Sequence, residues 1–148
     1  MVNKEIIEMG EGVYARLHEG LTNSGFILGD ESVLVIDSLR VPSFAKELIR
    51  DIKTVTDKPV QYVVDTHSHW DHSWGNEEFL EATIIGHENC YREMIDVEGT
   101  NRWRDKVVSA NDPWSQEASM VKITPPNLTF EKSMRLYFGG RQIDLRYF

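Results

Sequence analysis

The chain has 148 residues, 41% of them hydrophobic and 27% charged, which is an ordinary composition for a soluble protein with one core. Its formal net charge of −8 argues against nucleic acid or an anionic membrane surface as the main partner. A single cysteine excludes an internal disulfide, and no apolar run is long enough to cross a bilayer. The first residues lack the features of a secretory leader, so we expect one domain over residues 1–148 in a cytoplasmic protein.

The first third of the chain predicts an antiparallel meander. Apolar and β-branched residues form three short runs at 12–17, 23–28 and 32–36, and the turn Gly29-Asp30-Glu31 joins the last two. His18 lies between the first two runs beside Glu19, and we expect it to be solvated.

A helix is predicted next, beginning at Pro42-Ser43. Phe44, Leu48 and Ile52 recur at helical spacing, and a Thr-Asp-Lys-Pro sequence at 56–59 ends the helix. The apolar run 60–65 that follows is typical of a buried strand. This order of strand, helix and strand favours a right-handed crossover packed on one face of a sheet.

Residues 66–72, Thr-His-Ser-His-Trp-Asp-His, are called the histidine motif below, and they follow that strand directly. Three of the five histidines of the protein lie there, with Asp71 between the last two. His67 and His69 are two residues apart, so in extended backbone they point the same way and could share a metal. A turn could aim Asp71 and His72 at a second metal.

Imidazole and carboxylate are good ligands for zinc and similar cations. Two alternatives are a histidine-rich surface loop and a structural zinc site closed by four ligands. Structural zinc sites usually recruit thiolates, and Cys90 is the only cysteine in the sequence.

The histidine motif and its surroundings resemble the metallo-β-lactamase superfamily. The likeness rests on the H-x-H-x-D-H pattern of residues 67–72, on the segments 23–28 and 33–38, and on Gly75-Asn76. It implies an α/β (α+β) protein of the αββα sandwich type, with a mixed sheet, flanking helices and a C-terminal hairpin. It also implies a metal-dependent hydrolase, in which a metal-activated hydroxide attacks a lactam, thioester, lactone or other ester.

The same resemblance implies roles for individual residues. His67, His69, Asp71 and His72 would be the metal ligands, and Asp71 would also be catalytic by orienting the hydroxide. The cofactor would be one or two zinc ions, although iron and manganese are also compatible with these ligands. Asp37, at the end of the third strand, either braces the metal-binding loop or forms an ordinary turn.

Beyond the motif, the sequence predicts a short helix 77–80 capped by Asn76, and then a strand at 83–86. His87 is either a third metal ligand or, as we favour, the cap of a helix over 88–111 that Gly99-Thr100 interrupts. Cys90 within that helix is expected to be a small core residue. Residues 112–126 are expected to be irregular.

The end of the chain predicts a hairpin of 134–138 and 142–148 around Gly139-Gly140. No histidine follows His87, so the later ligands of the family pattern are missing. We therefore expect this chain to be roughly the N-terminal half of a longer hydrolase, with impaired metal binding. Half a sandwich would leave one apolar sheet face bare, which predicts a homo-oligomer.

Three functions follow by class. The leading one is a metal-dependent hydrolase acting on a small-molecule substrate. The second is an iron-dependent oxidoreductase of the same fold. The third is a catalytically inactive metal-binding or interaction fragment.

Overall fold

The computed structural model describes residues 3–148. The strands are β1 (Lys4–Gly10), β2 (Val13–His18), β3 (Ser24–Leu28), β4 (Val33–Ile36), β5 (Val60–Val64), β6 (Thr83–His87), β7 (Leu128–Phe130), β8 (Ser133–Phe138) and β9 (Arg141–Arg146). The helices are α1 (Pro42–Lys53), α2 (Trp70–Ser73), α3 (Glu88–Ile95), α4 (Val97–Ser109) and α5 (Ser115–Ala118), with a 3₁₀ helix at Trp74–Phe79. None of the helices in the described residues is long and apolar enough to cross a bilayer.

The first seven strands form one mixed sheet in sequence order, β1 to β7. Strands β1 to β4 pair antiparallel, and β4 to β7 pair parallel. Strands β8 and β9 form a separate antiparallel hairpin. The predicted α/β class, mixed sheet, flanking helices and terminal hairpin are therefore confirmed.

Helix α1 packs against one face of the sheet. Pro42 occupies the first turn of this helix, where its fixed φ is favourable and its missing N–H is not needed. Leu48 and Ile52, four residues apart, lie on one side of the helix and are buried. They share a core cluster with Val33 and Val35 of β4, whose side chains point to this face because they are two residues apart.

The opposite face of the sheet packs against the hairpin. Leu34 of β4 and Ile85 of β6 are buried there together with Phe138 of β8. The inward-facing residues of the hairpin, such as Leu136 and Ile143, are only half buried. This part of the sheet is therefore not bare, and self-association through it stays a prediction that sedimentation velocity would test.

Several element predictions were wrong in detail. Strand β1 was not anticipated, because Lys4–Gly10 forms an edge strand that is mostly exposed and rich in polar residues. Residues 70–79 form α2 and the 3₁₀ helix, so Asn76 caps no helix and is fully buried. The break between α3 and α4 lies at Asp96, not at Gly99-Thr100. The segment expected to be irregular contains α5.

Candidate metal centre

Two loops form the candidate site, and both follow parallel strands. Residues 37–40 follow β4, and the histidine motif follows β5. Because β4 and β5 are parallel neighbours, these loops leave the sheet at the same edge. That edge is where α/β sheets usually hold ligands and catalytic groups.

The three imidazoles of the motif lie side by side. The ring centroids of His67 and His69 are 4.7 Å apart, and those of His67 and His72 are 4.1 Å apart. His67 and His72 are half buried, whereas His69 is exposed and packs against Trp103 of α4 with ring centroids 5.5 Å apart. The fold thus gathers the three histidines that the sequence singled out.

Asp37 braces His72, as the first of its two interpretations expects. The Nδ1 of His72 lies 2.7 Å from the Oδ2 of Asp37, and the Asp37 side chain is buried. An ionised carboxylate only accepts hydrogen bonds, so Nδ1 carries the proton and donates it. The bond to Asp37 raises the pKa of His72, although burial opposes the shift. With Nδ1 protonated, the neutral ring presents the lone pair of Nε2 toward its neighbours.

Thr66 connects Asp37 to His67 through hydrogen bonds. Its hydroxyl donates to Asp37 Oδ2 at 2.8 Å, and its backbone N–H donates to Asp37 Oδ1 at 2.8 Å. Since the hydrogen of that hydroxyl points to Asp37, the hydroxyl oxygen accepts a hydrogen bond from His67 Nδ1 at 2.9 Å. His67 therefore also presents Nε2. Burial, followed by the nearby His72 and His69, lowers the pKa of His67 and favours its neutral form.

Asp71 lies in α2 beside His72. Its Oδ2 is 3.6 Å from the Nε2 of His72. Two ligand atoms on one tetrahedral zinc ion stand about 3.4 Å apart when each bond is about 2.1 Å long. The separation of this pair is close to that value, which fits the expectation that Asp71 and His72 face one cation. Oδ2 also accepts a hydrogen bond of 2.6 Å from the hydroxyl of Thr22.

The predicted ligands are near one another, but their side chains are not arranged as a complete metal-coordination site. Within residues 3–148, no group of three or more His, Cys, Asp or Glu side chains could hold a metal ion as it stands. The donor chemistry nevertheless fits zinc, because the Nδ1–H groups of His67 and His72 are engaged by oxygen acceptors. That is the arrangement which usually orients ligand histidines in zinc proteins.

Buried polar groups next to the two loops form hydrogen bonds with them. The amide of Asn76 donates to Asp65 Oδ2 at 2.8 Å and accepts from the Ser38 hydroxyl at 2.6 Å. The backbone N–H groups of Ser38 and Leu39 both donate to the carbonyl of His72. Burial raises the pKa of Asp65 well above its ordinary value. The hydrogen bonds from Ser38 and Leu39 to His72 connect loop 37–40 directly to the histidine motif.

Loop 37–40 has an unusual backbone where it meets the motif. Asp37 and Leu39 have φ values of 63° and 74°, which side chains other than glycine rarely adopt. Such conformations persist only where surrounding contacts hold them, and they are enriched at functional sites. Gly75 allows the close approach, because a Cβ there would collide with the Ser38 carbonyl oxygen.

A cavity of about 290 Å³ opens beside His69. It is lined by Trp70, Trp74 and Trp103, and also by Glu93 and Asp96. The cavity is large enough for a small organic group next to the imidazoles. It is the pocket among the described residues that adjoins the histidine motif most directly.

The structure separates the remaining candidates from the site. His87 accepts from the Asn89 backbone N–H at 3.0 Å and so caps α3, which confirms the interpretation that we favoured. Cys90 is buried, as expected of a core residue, and burial raises the pKa of its thiol. His18 was expected to be solvated, but it is 9% exposed and packs near Phe44, so that expectation was wrong.

Two residues at the site escaped the sequence analysis. Thr22 contacts Asp71 from 49 residues away, and no local pattern announces such a contact. Arg40 lies in the loop after β4 and is buried, which its sequence neighbourhood does not predict. An arginine three residues after Asp37 was the only available clue.

A mixed sheet with braced histidines and a carboxylate at the ends of its parallel strands is the arrangement that the resemblance to the metallo-β-lactamase superfamily predicts. The family model of the metallo-beta-lactamase superfamily matches residues 18–132. The chain therefore belongs to the metallo-beta-lactamase superfamily. No curated protein matches the sequence of the chain.

Solved structures share the fold. A metallo-beta-lactamase from Pontibacter korlensis has 18% sequence identity and a TM-score of 0.65, with 96% of this chain and 59% of that one covered. A metallo-beta-lactamase from Hirschia baltica has 15% identity and a TM-score of 0.61, with 94% and 58% covered. A stereoselective inverting sec-alkylsulfatase from Pseudomonas sp. has 21% identity and a TM-score of 0.66, with 97% and 27% covered. The chain thus spans less than two thirds of the length of each.

Proposed function

We propose that the chain carries the metal-binding motif of a metal-dependent hydrolase, with His67, His69, Asp71 and His72 as ligands to one or two zinc ions. Substrates would be small molecules with an electrophilic carbonyl, such as a lactam, a thioester, a lactone or another ester. Because the structural neighbours are longer, the activity of a complete enzyme is part of the proposal.

One observation carries this proposal. The Asp37 carboxylate accepts from His72 directly, and it fixes His67 through the Thr66 hydroxyl. The two ring centroids are 4.1 Å apart, and each ring has its Nε2 free. A histidine of the core or of an ordinary loop needs no such arrangement. Orientation of this kind prepares imidazoles for a cation, since it fixes the tautomer and raises ligand basicity.

The residues of the chain have separate tasks in this scheme. His67 and His69 would hold one zinc ion, and Asp71 and His72 would contribute to a second. When bound, zinc supplies Lewis acidity that polarises a substrate carbonyl and eases the ionisation of water near neutral pH. Asp71 would orient the attacking water by accepting its hydrogen bond. The tryptophan-lined cavity beside His69 would receive the apolar part of the substrate and exclude bulk water from it.

Metal binding is the first test. Purified chain is dialysed against a chelator, titrated with Zn²⁺ in a calorimeter, and compared with His67→Ala, His72→Ala and the control His87→Ala. We expect the first two variants to bind zinc at least tenfold more weakly and the control to match the unaltered chain. Equal zinc affinity in the unaltered chain and His72→Ala would refute the proposed ligand set.

Turnover is the second test. The zinc-loaded chain is assayed with a chromogenic β-lactam, an acyl thioester and a lactone, each with and without excess chelator. Hydrolysis that the chelator abolishes and added zinc restores would support the hydrolase. Zinc binding with no turnover of any of the three would favour the inactive metal-binding or interaction fragment. Preferential iron binding with electron-transfer activity would favour the oxidoreductase.

A further inference from the structure

Arg40 has surroundings that a structural arginine rarely needs. Its side chain lies at the candidate site and is only 5% exposed. The guanidinium carbon is 4.4 Å from the ring centroid of Trp114, 5.2 Å from that of Phe44 and 5.5 Å from that of Trp70. Three aromatic faces therefore hold one cation, in positions favourable for cation–π attraction.

Arg40 forms no ion pair with Asp71 or Asp112, the two carboxylates whose negative charges act on it. Burial lowers the pKa of its guanidinium, and the negative charges of Asp71 and Asp112 oppose that shift. The Nε of Arg40 has no hydrogen-bond partner among the described residues. An arginine remains charged under such conditions, and its positive charge attracts the carboxylate of Asp71.

Thr22 connects the two groups. Its hydroxyl donates to Asp71 Oδ2 at 2.6 Å, and the Nη2 of Arg40 lies 3.4 Å from the same hydroxyl oxygen. Because a hydroxyl has one proton, the donation to Asp71 leaves its lone pairs free to accept from the guanidinium. The order of donation is therefore fixed, from Arg40 to Thr22 and from Thr22 to Asp71.

We propose that Arg40 is a positioning residue for the metal centre, which acts through Thr22 to hold the Asp71 carboxylate in place. The aromatic residues around Arg40 fix the guanidinium, the guanidinium orients the Thr22 hydroxyl, and the hydroxyl restrains one oxygen of Asp71. That oxygen lies 3.6 Å from the Nε2 of His72, and its remaining lone pairs stay available to a cation. This inference rests on the proposed function, because it assigns Asp71 a ligand role.

Arg104 provides a matched comparison within the chain. Its guanidinium carbon lies 5.3 Å from the ring centroid of Trp74, and its Nη1 donates to the Ala118 carbonyl at 2.7 Å. This arginine also packs on a tryptophan and is partly buried, but its hydrogen bond goes to a backbone carbonyl. If aromatic packing alone mattered, Arg40 and Arg104 would be equivalent.

The test compares Arg40→Met, Thr22→Val and the control Arg104→Met by calorimetric titration of the 148-residue chain with Zn²⁺. Methionine keeps much of the apolar stem and removes the charge. We expect Arg40→Met and Thr22→Val each to weaken zinc binding about tenfold, as loss of an outer contact of a metal ligand does. Arg104→Met should bind zinc as the unaltered chain does, and Thr22→Ser should retain the affinity.

Two further readouts separate positioning from packing. The double variant Arg40→Met/Thr22→Val should bind no more weakly than either single variant, because the two residues act in series. Visible absorption of the Co²⁺-loaded chain should change in both single variants and not in Arg104→Met, since it reports the coordination geometry. Thr22 is only partly buried, so Thr22→Val tests the connection even if Arg40→Met fails to fold.

The outcomes are distinct. Zinc binding by the unaltered chain that is unchanged in Thr22→Val, or lost equally in Arg40→Met and Arg104→Met, would overturn this inference alone. An unaltered chain that binds no zinc would overturn the proposed function and this inference with it.

Discussion

Two clusters of polar and charged side chains use their hydrogen-bonding atoms differently. The first, here called the α1 charge cluster, consists of Lys4, Arg16, Glu47 and Asp51. Arg16 is fully buried, and its Nε donates to one oxygen of Asp51 at 2.9 Å while Lys4 donates to the other at 2.8 Å. Both oxygens of Asp51 are therefore engaged by cations.

The second, here called the motif cluster, consists of Asp37, Thr66, His67, Asp71 and His72. Asp37 is as well buried as Asp51, and each of its oxygens also accepts a hydrogen bond. The difference lies in its partners, because imidazoles have a second ring nitrogen that stays free. Burial and charge pairing therefore do not by themselves mark a functional site. Oriented side chains that keep a free lone pair for a ligand do.

The largest effect is expected in the α1 charge cluster. Asp51→Ala leaves the guanidinium of Arg16 buried without its main partner, which should lower the free energy of unfolding by about 3–5 kcal/mol. Urea unfolding followed by tryptophan fluorescence measures this loss. The control Asp57→Ala changes an exposed aspartate and should stay within about 0.5 kcal/mol of the unaltered chain. Weaker zinc binding by folded Asp51→Ala would break the separation of the two clusters.

Asp37→Asn should act on the metal more than on the fold. Asparagine tolerates the positive φ at this position, but its amide can place an N–H toward His72 Nδ1. The ring would then carry its proton on Nε2 and lose the lone pair that binds metal. We expect zinc affinity to fall about 10- to 100-fold in a calorimetric titration. The exposed control Asp30→Asn should bind zinc normally, and an unchanged affinity in Asp37→Asn would contradict the bracing role.

Thr66→Val tests the weaker part of the motif cluster. Valine keeps the branched shape but removes the hydroxyl between Asp37 and His67. Zinc affinity should fall about fivefold, corresponding to the ~1 kcal/mol of one net hydrogen bond. Thr66→Ser should preserve the affinity. A loss in Thr66→Ser as large as that in Thr66→Val would assign the effect to packing.

The smallest effect is a difference in pH dependence between the clusters, measured on chelator-treated protein. The ammonium of Lys4 lowers the pKa of Glu47 below its ordinary 4.5, so this contribution to stability is present above pH 4.5 and lost on acidification. Asp37 raises the pKa of His72 above 6.5, so that contribution is present below pH 6.5 and lost as pH rises through the raised value.

Urea midpoints recorded between pH 3 and 9 would resolve the two contributions. Glu47→Gln should flatten the acidic side of the profile by less than about 1 kcal/mol, because solvent screens this partly exposed pair. Asp37→Asn should flatten the side above neutral pH. If both variants flattened the same side, the two clusters would not be independent.

The sequence by itself determined the elements that local patterns specify. Helix α1 follows from the period of its apolar residues and from Pro42, and the hairpin follows from alternation around Gly139-Gly140. The position of the histidine motif follows as well, since an apolar strand directly precedes it. These features depend on residues close together in the chain, so their physical causes are visible there.

Only the tertiary structure decided which groups serve the motif. Asn76 is well suited to cap a helix, but its buried amide bonds to Ser38 and Asp65 outweigh that tendency. The contacts of Asp37 with His72 and of Thr22 with Asp71 join residues 35 and 49 positions apart. Such contacts exist because β4 and its parallel neighbour β5 end at the edge of the sheet where the antiparallel strand β3 begins, and no local pattern encodes that meeting.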